Sequence, residues 1–194
     1  MIINNEMNRR LKIRCGLLVV CFLVMASVAI AQEVKSLPYL ADWTTDLEDW
    51  HVADRQYTSK TWMWKAASTA TITDSKKEND DWLISPALDC SGKAPKKITF
   101  KAAWNKAQSS NIALYYSLNY EGDQAAAEWV LVEEKIIPDS QPYGFKTDVF
   151  MPFSAKLKMD APKVHFAIRY VKHNQSEEVQ NEIRIKHFKV TSKK

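Results

Sequence analysis

The sequence predicts an all-β fold, two antiparallel sheets packed as a sandwich behind an N-terminal export segment. Three observations carry this: short runs in which large apolar residues alternate with polar ones, punctuation by Pro and polar clusters about every ten residues, and the lack of any long 3.6-residue apolar period. Side chains alternate across a strand, so each run delivers its large residues to one shared layer.

The chain opens with Arg9, Arg10, Lys12 and Arg14 running into the apolar stretch Gly16 to Ile30, closed by Ala29-Ile30-Ala31. A basic start, an apolar core and small residues at the end make up a secretory signal peptide, and the core falls short of the roughly 20 residues that a membrane-spanning helix needs. Cleavage is expected after Ala31, with residues 32–194 forming one β-sandwich domain. Cys15 follows Lys-Ile-Arg and Cys21 follows Val-Val, so neither has the small residues that precede a lipidated cysteine. The leader holds four of the 27 basic and one of the 23 acidic residues. What remains is near neutral, which argues against nucleic acid and against an anionic membrane as partners.

Within the mature part, strands are expected at Trp62 to Ala67, Ala70 to Thr73 and Trp82 to Ile84. Pro86 then removes a ladder donor, and Asp89 to Gly92 turns the chain. In Lys97 to Trp104, Ile98, Phe100 and Ala102 share a face; in Asn111 to Tyr120, Ile112, Leu114, Tyr116 and Leu118 do so. Asp123 to Glu128, with three alanines, suits one helical turn before strands at Trp129 to Glu134 and Tyr143 to Phe153. Val164, Phe166, Ile168 and Tyr170 form the next apolar row, with His165 and Arg169 opposite, at solvent-facing parity. Breaks are expected at Lys76 to Asp80, Ser91 to Lys96, Pro138 to Pro142 and His173 to Gln180. In the last strand Ile183 and Ile185 are odd-numbered but Phe188 and Val190 are even-numbered, which demands a β-bulge near Lys186 and His187. Cys90 is the one cysteine after the leader, so no intramolecular disulfide can form, and it reads as a packed thiol.

The string Asn79-Asp-Asp-Trp-Leu-Ile-Ser-Pro-Ala-Leu-Asp-Cys-Ser-Gly92 resembles the "DWLISPALDLSG" segment of choice-of-anchor J and cleaved-adhesin domains of exported Bacteroidetes proteins. The likeness continues through Leu47-Glu-Asp-Trp50, Ile98-Thr-Phe-Lys-Ala-Ala103, Tyr115-Tyr-Ser-Leu-Asn-Tyr-Glu-Gly-Asp123 and Val164-His-Phe-Ala-Ile-Arg-Tyr170. It implies a jelly-roll sandwich of the galactose-binding or MAM-like type, used for attachment or for binding glycan or protein. Relatives often bind calcium through an acidic loop; the matching stretch here, Val52-Ala-Asp-Arg-Gln-Tyr57, has one acid. Calcium takes six to eight oxygens, so no cofactor is assigned and an inherited calcium site would be incomplete.

For catalysis the sequence has no Gly-x-Ser-x-Gly elbow and no Cys-His pairing, and the four histidines, read as surface residues, lack metal-ligand spacing. Adjacent acids such as Asp80-Asp81 point to opposite faces of a strand and make no glycosidase pair; these two are the weak metal candidates, with a turn-closing role as the alternative. Seven tryptophans are more than one core needs. Trp62 and Trp64, two apart on a strand, together with Trp104 and Tyr143 near strand ends, are the candidate sugar platform, with core packing as the competing reading. Trp43, Trp50, Trp82 and Trp129 are assigned to packing.

The expected role is therefore an exported, non-catalytic, adhesin-like module that recognises a glycan or a surface protein, secreted or at the cell surface, with the periplasm as an alternative. A self-associating structural subunit and a cryptic hydrolase are the competing functions.

Overall fold

The structure, a computed structural model, describes residues 33–56, 61–73, 78–105, 110–137, 148–172 and 182–192. They are all-β, without a helix. Twelve strands run in chain order: β1 (Tyr39–Ala41), β2 (His51–Asp54), β3 (Met63–Lys65), β4 (Thr69–Thr73), β5 (Asn79–Ile84), β6 (Leu88–Cys90), β7 (Lys96–Trp104), β8 (Ser110–Ser117), β9 (Val130–Glu133), β10 (Met151–Leu157), β11 (Ala161–Lys172) and β12 (Glu182–Ser192). Among the described residues no helix is long and apolar enough to cross a membrane.

The strands form two antiparallel sheets. The first has the order β10-β7-β12-β4-β3, with β1 paired to the C-terminal half of β12; the second has the order β2-β5-β11-β8-β9, with β6 paired to the start of β11. Their facing sides make one core. Ile98, Phe100, Ile183, Ile185, Phe188 and Val190 come from the first sheet and meet Leu83, Ile112, Leu114, Phe166, Ile168 and Tyr170 from the second. Each large side chain so buried contributes about 1.5–3 kcal/mol, and this burial takes the place of a disulfide.

The parity break in β12 takes the expected form. Lys186 faces Lys101 and Lys189 faces Thr99, so His187 and Phe188 together oppose Phe100. His187 adopts φ 55°, and the extra residue returns Phe188 and Val190 to the core. Pro86 likewise falls between β5 and β6, and Cys90 is fully buried, its thiol pushed up to about 11 by burial.

Several expectations are corrected. His165 is fully buried rather than solvent-facing, because β11 lies in the middle of its sheet and its outer face is covered by the connection before β9. Leu118 is 54% exposed, since β8 ends at Ser117. Gln124 to Ala126 form a single hydrogen-bonded turn before β9, which does not extend into a helix. The break placed at Lys76 to Asp80 gives way to β5 from Asn79 onward, which puts Asp80 and Asp81 in a strand and not in a turn. The breaks at Pro138 to Pro142 and His173 to Gln180, the leader, and Tyr143 lie outside the described residues.

Candidate functional site

The second sheet carries apolar groups on both faces. On the side away from the core, β5 presents Trp82 and Ile84, β11 presents Ala167 and β8 presents Tyr115, while Tyr120 and Trp129 fold over them from the β8–β9 connection. Ring centroids lie 5.1 Å apart for Trp82 and Tyr115, 5.1 Å for Trp82 and Trp129, and 5.6 Å for Tyr120 and Trp129. The tilted contacts suit the quadrupoles of the rings. Tyr120 also packs edge-on to His165 at 4.9 Å.

Polar groups fix this layer in place. Arg169 donates from Nε and Nη2 to the two oxygens of Asp80 at 2.8 and 2.9 Å, and its guanidinium lies 5.1 Å from the Trp82 ring centre. Trp82 Nε1 donates to Asp80 Oδ1 at 3.0 Å, and Trp129 Nε1 donates to the Gln124 carbonyl at 3.0 Å. Burial holds the imidazole of His165 below its ordinary value, so it is neutral, with Nδ1 at 2.8 Å from the Ser85 carbonyl.

At the β2 edge of the layer lies a cleft of about 430 Å³, lined by His51, Ala53, Asp54 and Arg55 on one side and by Gly122, Asp123, Gln124 and Ala125 on the other. Gly122, at φ 101°, supplies the backbone turn that a side chain would strain. His51 Nδ1 hydrogen-bonds the Tyr120 hydroxyl, which burial pushes up to about 12 and so keeps protonated. Where the hydroxyl donates to Nδ1, the ring hydrogen of His51 lies on Nε2. Asp123 Oδ1 accepts from the Ala125 amide at 2.9 Å, an Asx turn that shapes the far wall. Gln124, 7% exposed, adds an amide able both to donate and to accept.

The sequence-derived candidates are scattered. Trp62 and Trp104 are 2% and 1% exposed and belong to the core, so neither ring has a face to offer a ligand. Trp62 precedes β3, so it does not form a platform with Trp64; Trp64 sits on the edge strand, 37% exposed, and donates from Nε1 to the Trp43 carbonyl at 2.7 Å. Trp43, Trp50, Trp82 and Trp129 pack as expected, Trp129 half-buried against Trp82 and Tyr120. Asp80 is saturated by Arg169 and Trp82. Asp81, on the opposite face, is fully buried; Thr61 and Asn79 are its polar neighbours, but neither carboxyl oxygen has a well-formed hydrogen bond. Asp81 stands directly opposite Asp54 across β2 and β5, and its carboxyl is pushed up to about 7 by burial first and by the Asp54 charge second. Among the described residues no three acidic, histidine or cysteine side chains converge as metal ligands. Sequence reasoning missed His51, Tyr115, Tyr120 and Gln124, which the outer parity of β2 and β8 and the β8–β9 connection bring together.

No protein-family model matches the sequence, and no curated protein matches it. Likeness to solved structures lies in shape. The K3 cleaved adhesin domain of Lys-gingipain from Porphyromonas gingivalis W83 superposes with a TM-score of 0.60 at 15% identity, covering 80% of this chain and 98% of that domain. The K1 domain of the same protein gives 0.58 at 15% identity over 80% and 98%. The apo structure of BiXyn10A CBM1 gives 0.51 at 12% identity over 82% of this chain and 100% of that one. At such identities the shared property is the fold, and this chain has the β-sandwich fold of the cleaved adhesin domains.

Proposed function

We propose that the protein is an exported, non-catalytic binding module that recognises a glycan in the cleft beside the outer aromatic layer of the second sheet. The observation that carries this is a second ordered aromatic cluster outside the core, bordered by a concavity that combines the hydrogen-bonding groups of His51 and Gln124 with Asp54, Arg55 and Asp123. A cleft of about 430 Å³ is in the usual range for small-ligand sites. BiXyn10A CBM1 and the cleaved adhesin domains support the reading by analogy of fold. The choice-of-anchor J relationship, the leader cleaved after Ala31 and a single mature domain belong to the same proposal; mass spectrometry of the secreted product tests the cleavage by its N-terminus at Gln32.

Absence of catalysis is part of the proposal. A glycosidase needs a general acid with a raised pKa beside its substrate. Among the described residues the carboxyl pushed up strongly is Asp81, which is fully buried and does not line the cleft. Calcium is assigned no part in recognition: Asp54, Asp81, Thr61 and Asn79 provide oxygen chemistry that suits it, but as a set they fall short of its six to eight ligands. Chelation is expected to leave ligand binding unchanged.

Glycan-array screening followed by calorimetry tests the main claim. Gln124→Ala and His51→Ala are each expected to weaken a glycan hit about tenfold, the loss of one or two hydrogen bonds. Silence of the protein on the array, or indifference of a hit to both substitutions, would remove the cleft as the site. A second reading, self-association, is favoured by the edge strands β3 and β9, where Met63, Trp64, Val130 and Leu131 are 39%, 37%, 47% and 47% exposed. Sedimentation at rising concentration distinguishes it, since a glycan-binding monomer shows no concentration dependence.

A further inference from the structure

The near-neutral charge of the mature part conceals a segregated distribution. On the outer face of the first sheet, Lys97 stands directly opposite Lys156, and Lys101 directly opposite Lys186. Lys189 lies between these two rows, opposite Thr99. The bulge at His187 keeps Lys186 and Lys189 on one face in spite of their unequal parity. Lys97, Lys101, Lys156 and Lys189 are exposed, and Lys186 is held 3.8 Å above the Phe150 ring. Among the described residues none of the five pairs with a carboxylate. The neighbouring acids are engaged elsewhere: Glu182 takes Lys65 at 2.8 Å and Arg184, and Asp42 lies 3.6 Å from His187.

Like charges directly across a strand pair destabilise a sheet, so two such pairs side by side are a cost to the free protein. An anion laid over them would remove it. Strand spacing of about 4.8 Å and a rise of about 3.3 Å per residue put the two rows some 13 Å apart along β7, on a flat face and not in a groove. Thr99, Ser154 and Thr191 occupy the positions between the lysines and offer hydroxyls. Lysine is a point charge that meets sulfate or carboxylate without demanding one geometry.

We propose that this face binds a linear polyanionic polysaccharide, one that carries sulfate or carboxylate groups along its length. The site lies on the opposite sheet from the cleft and stands independently of it. Single-stranded nucleic acid is favoured by stacking aromatics, and among the described residues the ring at these lysines is Phe150, which lies beneath Lys186. A membrane-binding face needs a continuous apolar stripe among its cations; here Thr99, Ser154 and Thr191 separate the lysines, and the apolar neighbours Pro152, opposite Lys101, and Leu40, opposite Lys189, are isolated from each other.

Immobilised heparin and polygalacturonate serve as probes, with the purified protein applied at low salt. Retention on at least one, with elution at rising salt, is expected for a surface-charge contact. The triple variant Lys97→Gln, Lys101→Gln, Lys189→Gln should bind at least about tenfold more weakly, three exposed ion contacts at their usual worth, whereas Lys65→Gln should change affinity less than about twofold. The triple variant should also melt no lower than the parent, and a triple lysine-to-arginine variant should retain binding, so misfolding cannot mimic the result. Failure of the parent to bind either polymer overturns the proposal, as does an equal loss in Lys65→Gln. Tighter binding to phosphatidylglycerol vesicles or to poly(dT) than to both polysaccharides also overturns it. Cleft variants Gln124→Ala and His51→Ala should leave retention intact, which keeps the two sites distinguishable.

Discussion

Arg169 grips both carboxylate oxygens of Asp80 from the adjacent strand, at 2.8 and 2.9 Å, while its guanidinium covers Trp82. The pair has limited solvent access, with side chains 27% and 14% exposed, so removing one member strands the other. Asp80→Ala is expected to cost about 2–3 kcal/mol, below the range for a fully buried pair. In the double variant Asp80→Ala, Arg169→Met most of that loss should return, because no charge is then left alone. Urea denaturation of the two single variants and the double variant measures the coupling.

Asp81 ties stability to pH. Its folded-state value, raised from 3.8 to about 7, means that between those two the folded chain holds a proton that the unfolded chain has released. Stability from this group is therefore fully present below about pH 4, falls as pH rises toward 7 and levels off above it, by up to about 4 kcal/mol. Asp81→Asn keeps the shape and removes the charge. Its denaturation midpoint at pH 7.5 should exceed that of the parent, and the difference should shrink steadily toward pH 4. An identical pH profile in both proteins would show that Asp81 is ionised without penalty in the fold.

How far the sequence revealed this can be followed residue by residue. The period-two rows of Lys97 to Trp104 and Val164 to Tyr170 identified long strands, and the parity conflict between Ile185 and Phe188 located the bulge, because a strand has a single allowed period. The site was far less visible. Aromatic count pointed to Trp62 and Trp104, but whether a ring lines the core or the outer face depends on which strands are central, a property of pairing and not of local pattern. His165 was misread for the same reason: parity separates two faces but does not say whether both are covered. The lysine face was hidden by net charge, which sums over directions.

The bulge makes a sharper prediction. His187 holds φ 55°, a left-handed conformation costly for any residue with a Cβ. His187→Gly should stabilise the protein by roughly 0.5–1 kcal/mol, since its ion contact with Asp42 is exposed and of little worth. Deletion of His187 tests the same bulge from the other side: Phe188 would then oppose Phe100 alone, regular alternation would keep Phe188 and Val190 on the core face with Ile183 and Ile185, and the shortened chain should keep a cooperative thermal transition.

The loop between β6 and β7 is closed by a buried ammonium. Lys96 Nζ donates to the carbonyls of Ser91, Gly92 and Ala94 at 3.2, 2.8 and 2.8 Å, and the side chain is fully buried. Gly92 stands at φ 89° and donates its amide to Asp160 Oδ1 at 2.7 Å, anchoring the turn to the approach to β11. Lys96→Met preserves the apolar stem but leaves three carbonyls without their shared donor, so a loss of about 2–3 kcal/mol is expected. Because that loss is local, hydrogen exchange should quicken in residues 91–95 and at the start of β7 before it does in β12. Uniform quickening across the core would mean instead that the ammonium supports the whole sandwich and not this turn.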